Sequence, residues 1–326
     1  MLPEVSSWLR GRTSTAGRWP ARSVLAAKGP ARISVVLPAR NERETVGQIV
    51  GAVRTDLMQS VPLVDEIVVI DSRSADDTAE VAAAAGARVV AQDDVLPFLA
   101  PADGKGEALW KSLAVTSGDV IAFLDADVRN FSSSFVTGLL GPLLSDPSLR
   151  FVKACYDRPL NGTGDNGTGG AGGRVTELVA RPLLNLHWPL LAGFVQPLSG
   201  EYAARRGLLE QLPFFTGYGV EFGLLVDVLA AAGMDAMAQV DLGTRVHAHQ
   251  STAALGRMAA QIWLAAWSRL GRDGLTGARE VSGLLTQFHR AGAWHLPEVH
   301  DITVTERPPM IGIPGYLDGR LFPAGA

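Results

Sequence analysis

The chain has 326 residues, 47% of them hydrophobic and 19% charged, enough apolar material for a sizeable core and too little charge for a disordered chain. Its 29 Lys and Arg against 33 Asp and Glu give a net charge of −4, which excludes the strongly basic surface of a nucleic-acid binder. A single cysteine, Cys155, excludes an internal disulfide and a cysteine-built zinc site and is compatible with a reducing compartment.

Residues 1–30 carry scattered Arg and Ser with no continuous apolar run, and read as a loosely ordered leader of a cytoplasmic protein. From Ile33 a buried strand (Ile33, Val35, Val36, Leu37) runs into Pro38. Helical spacing follows at Val46, Ile49, Val50, Val53 and Leu57. A second strand, Ile67–Ile70, ends in Asp71-Ser72, and a helix over 76–85 stops at Gly86. Strand 88–91, helix 105–116 and strand 120–124 complete the first half, the last running into Asp125-Ala126-Asp127. This alternation predicts an α/β fold with a mainly parallel sheet flanked by helices, its ligand rim at the carboxyl ends of the strands.

The second half, 151–300, opens with a strand over 151–156 and a glycine-rich stretch, 161–173, expected to be mobile. Helices are expected over 174–186, 221–232, 252–270 and 278–291, with a strand over 239–246 that delivers His247 and His249. The apolar stretches 183–199 and 223–240 are interrupted by polar residues and predict no membrane span. Residues 301–326, with Pro308-Pro309 and Pro314, read as an extended arm packing on a partner subunit.

Four segments can carry chemistry, and each has a plainer explanation. Asp125 and Asp127, at i and i+2 on a turn, can share a hard divalent cation with a diphosphate; an ordinary acidic turn would look the same. Pro38-Ala39-Arg40-Asn41-Glu42 can present backbone amides and a carboxylate to a nucleoside, or be a loop capped by Asn41. Asp71-Ser72 precedes Asp76 and Asp77, which suit a helix start. Lys105, between Gly104 and Gly106, lacks P-loop spacing but can reach a pyrophosphate as a mobile point charge.

In this order the four segments resemble GT-A nucleotide-sugar glycosyltransferases. With Phe151–Pro159, Gly172–Glu177, Gly217–Glu221 and Val246–His249, the chain from about Ile33 to about Arg290 is similar to the retaining glucosyl-3-phosphoglycerate synthases, close kin of the mannosyl enzymes. The resemblance implies a GT-A fold with a mixed α/β acceptor part and C-terminal helices, a donor half over 31–150 and an acceptor half over 151–300. It implies glucose transfer from UDP-glucose to the 2-hydroxyl of 3-phosphoglycerate, dependent on Mg2+ or Mn2+, by a homodimer with no nucleic-acid or membrane partner. The nucleotide sugar would be held by Pro38, Ala39, Arg40, Asn41, Glu42, Ser72, Lys105, Asp125, Ala126, Tyr218, Gly219, Val220, Glu221 and Arg245. Asp127 and His247 would ligate the metal, and Gly173, Arg174, Val175, Thr176 and His249 would meet the acceptor. Asp127, Lys105 and Glu221 would be the catalytic set. His249 departs from the family's usual Asn, which puts acceptor preference in question. The rival readings are a mannosyl enzyme using GDP-mannose and an inverting GT-A enzyme with a lipid or polysaccharide acceptor.

Overall fold

A computed structural model describes residues 1–157, 173–246, 251–277, 281–291 and 294–318, with the side chains of 288–291 and 294–297 left undescribed. The glycine-rich stretch up to residue 172 and both His247 and His249 fall outside these residues.

The first thirty residues depart from the expected leader. Helix α1 (Pro3–Arg12) buries Val5 and Trp8, and the Trp8 indole donates to the carbonyl of Met237 at 2.9 Å and stacks near Phe194. Strand β1 (Thr13–Thr15) then pairs with a strand more than two hundred residues away, and α2 (Ala21–Lys28) buries Val24. Two apolar residues at i and i+3 suffice to dock so short a helix, and that signal is too small to stand out among the polar residues around it.

Strand β2 (Ile33–Ala39) is buried almost throughout, as its apolar run requires of a strand covered on both faces. The stripe of α3 (Val46–Arg54) places Val46, Ile49, Val50 and Val53 fully inside, each worth about 2 kcal/mol relative to exposure. The pattern repeats through β3 (Glu66–Asp71), α4 (Thr78–Ala85), β4 (Arg88–Ala91), α5 (Lys105–Val115) and β5 (Val120–Phe123). Gly86 closes α4 at φ 105°, a conformation that only glycine adopts without strain.

Helix α6 (Ser134–Ser145) leads to β6 (Phe151–Asp157), α7 (Arg181–His187), β7 (Tyr202–Arg205), the single turn α8 (Arg206–Leu209), β8 (Phe214–Phe215), α9 (Val220–Ala232) and β9 (Met237–Thr244). One eight-stranded sheet in the order β1-β9-β6-β7-β5-β2-β3-β4 crosses both halves of the chain. Its pairs are parallel except those of β7, which runs against both β5 and β6. Strand order reverses between β2 and β5, where a parallel sheet opens a crevice beyond its carboxyl ends.

Helix α10 (Thr252–Arg272) is as expected, with Ser251 as its cap. The helix expected over 278–291 is instead strand β10 (Leu284–Ala291), paired antiparallel with β11 (Trp294–Asp301) in the register Leu284↔Asp301 to Ala291↔Trp294. Period-2 spacing of Leu284, Thr286 and Phe288 competes with the helical count there, and the ladder decides it.

In its described part, 301–318, the tail is not an arm reaching outward. Strand β12 (Glu306–Arg307) pairs with β8, the Trp110 indole donates to the Pro308 carbonyl at 2.9 Å, and Met310 and Ile313 are buried in the protein's own core. Arg307 forms a two-pronged ion pair with the fully buried Glu107, at 2.7 and 2.8 Å, and Glu306 pairs with Arg269. The C-terminal segment therefore clamps α5 and β8, the elements on either side of the crevice floor.

Candidate active site

A cavity of about 930 Å3 opens over the carboxyl ends of β2, β3 and β5. Pro38, Ala39, Arg40 and Glu42 line it from the end of β2, Ser72 from β3, and Asp125, Ala126 and Asp127 from β5. Lys105 enters from the start of α5, Tyr218 and Glu221 from the start of α9, and Arg245 from the end of β9. Gly173, Arg174, Val175 and Thr176 form part of the same wall.

The acidic turn is held from below by Thr45, whose hydroxyl donates to the Ala126 carbonyl at 2.5 Å. Lys105 joins the two sides of the cavity: its ammonium pairs with Asp125 and, at 2.8 Å, with Glu221. Burial works against that charge, but the two carboxylates prevail and hold Lys105 protonated, its pKa well above the ordinary lysine value. The approach is close on every side. A Cβ on Gly106 would run into the Phe215 carbonyl oxygen, so that position admits no side chain, and one on Gly200 would displace the Asp125 carboxylate and the Lys105 ammonium.

Arg245 is buried against the same carboxylates, donating to Asp125 Oδ2 at 2.8 Å and Asp127 Oδ1 at 2.6 Å. Glu42 stands nearby. Burial first, and then the charges of Asp127 and Asp125, push its carboxyl up to about 7. Asp125 and Asp127 supply hard oxygen donors of the kind a divalent cation takes, here held by the Arg245 guanidinium, and no cluster of three or more metal-ligating side chains occurs among the described residues.

At the other end a continuous helical run begins at Arg174, residues 176–180 being π-helical, with Val175 and Thr176 buried. The Arg174 guanidinium is exposed and donates to the Thr252 hydroxyl at 3.3 Å. A planar guanidinium beside the first amides of a helix suits a phosphate or carboxylate.

Three residues expected to hold the nucleotide sugar, Asn41, Gly219 and Val220, do not line the cavity. Asn41 adopts φ 59° and turns its side chain away, accepting from the Ala75 amide at 2.7 Å, so it locks the 71–78 loop rather than lining the cavity. Gly219 and Val220 are buried as α9 begins and face α10 and the core. The proposed metal ligand His247 and acceptor contact His249 lie outside the described residues.

The family model for glycosyl transferase family 2 matches residues 34–165. Over 304 residues the chain is 45% identical to the glucosyl-3-phosphoglycerate synthase of Mycolicibacterium smegmatis, covering 93% of this chain and 97% of that protein. The chain belongs to the glucosyl-3-phosphoglycerate synthase family. Its fold is similar to the solved mannosyl-3-phosphoglycerate synthase from Rubrobacter xylanophilus, at 39% identity, TM-score 0.86, and coverage of 94% of this chain and 97% of that one. It is also similar to the Mycobacterium tuberculosis glucosyl-3-phosphoglycerate synthase in complex with Mn2+, UDP-glucose and phosphoglyceric acid, at 42% identity, TM-score 0.79, and coverage of 92% and 98%. The mixed α/β architecture is thus the GT-A-like fold of the glycosyltransferases.

For this family member, sequence reasoning missed several residues that build the site. Gln92, buried, accepts from the Ser72 hydroxyl at 2.9 Å and lines the cavity. Thr303 and Thr305 bring the segment after β11 to the opposite wall, beside Gln261, whose side chain accepts from the Tyr218 amide at 2.9 Å. Lys153 and Glu201 lie fully buried beneath the rim. Burial draws the Lys153 ammonium down to about 8, and its Nζ donates to the Ser199 carbonyl at 2.8 Å. Only the polarity of Lys153 within an apolar strand, and of Glu201 just ahead of one, could have flagged them.

No helix among the described residues is long and apolar enough to cross a membrane.

Proposed function

We propose that this protein transfers glucose from UDP-glucose to the 2-hydroxyl of 3-phosphoglycerate, with retention of anomeric configuration and with a divalent metal. One observation carries the reading: a single cavity is lined both by Asp125, Asp127 and Lys105 and by Arg174 at a helix start. Those two sets of groups in one cavity suit a nucleoside diphosphate and a small dianionic acceptor. The family relationship supports it, since the Mycobacterium tuberculosis relative was solved with Mn2+, UDP-glucose and phosphoglyceric acid. The donor half is 31–150 and the acceptor half 151–300, although one sheet serves both.

Asp127, with His247 as its partner ligand, would hold Mg2+ or Mn2+, and the ion when bound stabilises negative charge on the leaving diphosphate. Lys105, kept protonated by Asp125 and Glu221, adds a fixed positive charge at the same end. Arg174 and the amides behind it orient the acceptor. Glu221 is committed to Lys105 at 2.8 Å and is a poor nucleophile, so its role is to hold the sugar in place. The bond from the anomeric carbon to the diphosphate oxygen breaks as the bond to the acceptor oxygen forms on the same face. The hydroxyl proton passes to the departing phosphate. A glycosyl-enzyme trapped on Glu221 would overturn this route.

Phosphorylated substrates and a buried free Cys155 support a cytoplasmic setting.

A donor and acceptor panel tests the function. UDP-glucose, GDP-glucose and GDP-mannose are each paired with 3-phosphoglycerate or glycerate, with Mg2+ or EDTA, and the product is read by NMR. The expected outcome is α-linked glucosyl-3-phosphoglycerate, lost with EDTA. Product from GDP-mannose alone would transfer the assignment to the mannosyl enzyme, which the TM-score of 0.86 makes the rival to test.

A further inference from the structure

Beneath the rim lies a carboxylate to which the roles above assign nothing. Glu201 immediately precedes β7 and is fully buried. Its Oε2 accepts from the Tyr156 hydroxyl at 2.8 Å and from Ser199 Oγ at 3.1 Å, while Oε1 faces Arg245 Nε at 3.1 Å as an ion pair outside hydrogen-bond geometry. All three nitrogens of the Arg245 guanidinium are therefore engaged: Nε faces Glu201, Nη1 donates to the Tyr156 hydroxyl at 3.3 Å, and Nη2 donates to both Asp125 and Asp127. The Tyr156 ring lies 5.4 Å from the guanidinium carbon and limits its tilt.

We propose that Glu201 is a positioning residue of the donor site: the inner anchor that lets Arg245 release Asp127 to a metal-bound nucleoside diphosphate without losing its own counter-charge. This rests on the donor reading above. A buried guanidinium must keep a carboxylate partner. With Glu201 in place, one partner remains when the rim carboxylates turn to an incoming cation. Without Glu201, Asp125 and Asp127 alone balance Arg245, and the guanidinium competes with the cation for the same oxygens. Tyr156 and Ser199 bind Glu201 on its other oxygen, so the anchor stays put while Arg245 moves.

The test reads metal binding directly. Mn2+ is titrated in the presence of UDP and followed by electron paramagnetic resonance, for the wild type, Glu201→Gln and Tyr156→Phe. The amide of Glu201→Gln keeps the side chain's shape and an oxygen for Tyr156 and Ser199. Half-saturating Mn2+ is expected to rise about tenfold in Glu201→Gln, with the KM for UDP-glucose rising in parallel. The KM for 3-phosphoglycerate should stay within about twofold, a split that general loosening of the fold would not produce. Tyr156→Phe, which loosens the anchor but keeps its charge, should shift Mn2+ binding by about threefold and carries the test should Glu201→Gln fail to fold. In the double variant Glu201→Gln, Arg245→Gln the competition is gone, and half-saturating Mn2+ should return to within about threefold of the wild type.

Wild-type Mn2+ binding in folded Glu201→Gln would overturn the proposal, as would a double variant as weak as the single. A wild type that binds no Mn2+ with UDP would overturn the donor reading and this proposal together.

Discussion

At the donor end of the cavity, charge meets charge within the chain: Lys105 lies between Asp125 and Glu221, and Arg245 between Glu201 and the acidic turn. At the proposed acceptor end the wall near Arg174 is mostly uncharged, with Thr176, Met258, Gln261, Thr303 and Thr305, and it includes the carboxylate of Asp301. The donor end is set before any ligand arrives, so little reorganisation is needed as the diphosphate develops charge. On the proposed function Arg174 and the amides of the helix start would meet the acceptor there. Fixed charge at the donor end suits a transfer in which the leaving group must gain negative charge.

Asp127→Ala attacks the donor end most directly. Turnover of UDP-glucose should fall about a thousandfold with the fold intact by circular dichroism. A loss of less than tenfold would break the contrast by showing that the acidic turn is dispensable.

Arg307→Met leaves the buried Glu107 without its two-pronged partner and with only Lys111, at 3.4 Å. It should cost about 3 kcal/mol of stability, read as a lower denaturant midpoint. The KM for UDP-glucose should rise more than that for the acceptor, because α5 carries Lys105. Equal changes would mean that the clamp does not favour the donor end.

Arg174→Ala should raise the KM for 3-phosphoglycerate about thirtyfold and leave UDP binding unchanged, as for the loss of about 2 kcal/mol of charge-assisted hydrogen bonding. A rise in the UDP dissociation constant would show that the two ends are not separate.

Glu42→Gln gives the smallest effect and reports the burial of this carboxyl and, after it, the nearby charges of Asp127 and Asp125. Glu42 titrates near 7 when folded and near the usual 4.5 when unfolded, so the folded state holds a proton that the unfolded chain has released between those values. Its contribution is full below pH 4.5 and is lost as pH rises through 7. After discounting for solvent screening this is about 1 kcal/mol, and the variant should lose that part of the slope of melting temperature against pH. Bound Mg2+ should flatten the wild-type slope as well.

Much of the donor rim was legible in the sequence because its signals are local. An apolar run ends, a turn follows, and the residues on that turn must face the crevice; this placed Pro38, Ser72, Asp125 and Asp127 from a few neighbours each. The Asn41 side chain leaves the rim because a left-handed backbone at that residue turns it toward Ala75, which composition does not reveal. The hairpin over 284–301 was read partly as a helix because only pairing with β11 distinguishes the two periods.

The sequence by itself determined the alternation of strand and helix, the carboxyl-end rim, the acidic pair and the family, all of which depend on residues close together along the chain. Tertiary structure alone decided that α1 and β1 belong to the core, that the tail clamps α5, and that Glu201 sits behind Arg245. The physical reason is separation. Arg307 meets Glu107 across 200 residues and Arg245 meets Asp125 across 120, and a buried charge gives no local sign of which distant charge will neutralise it.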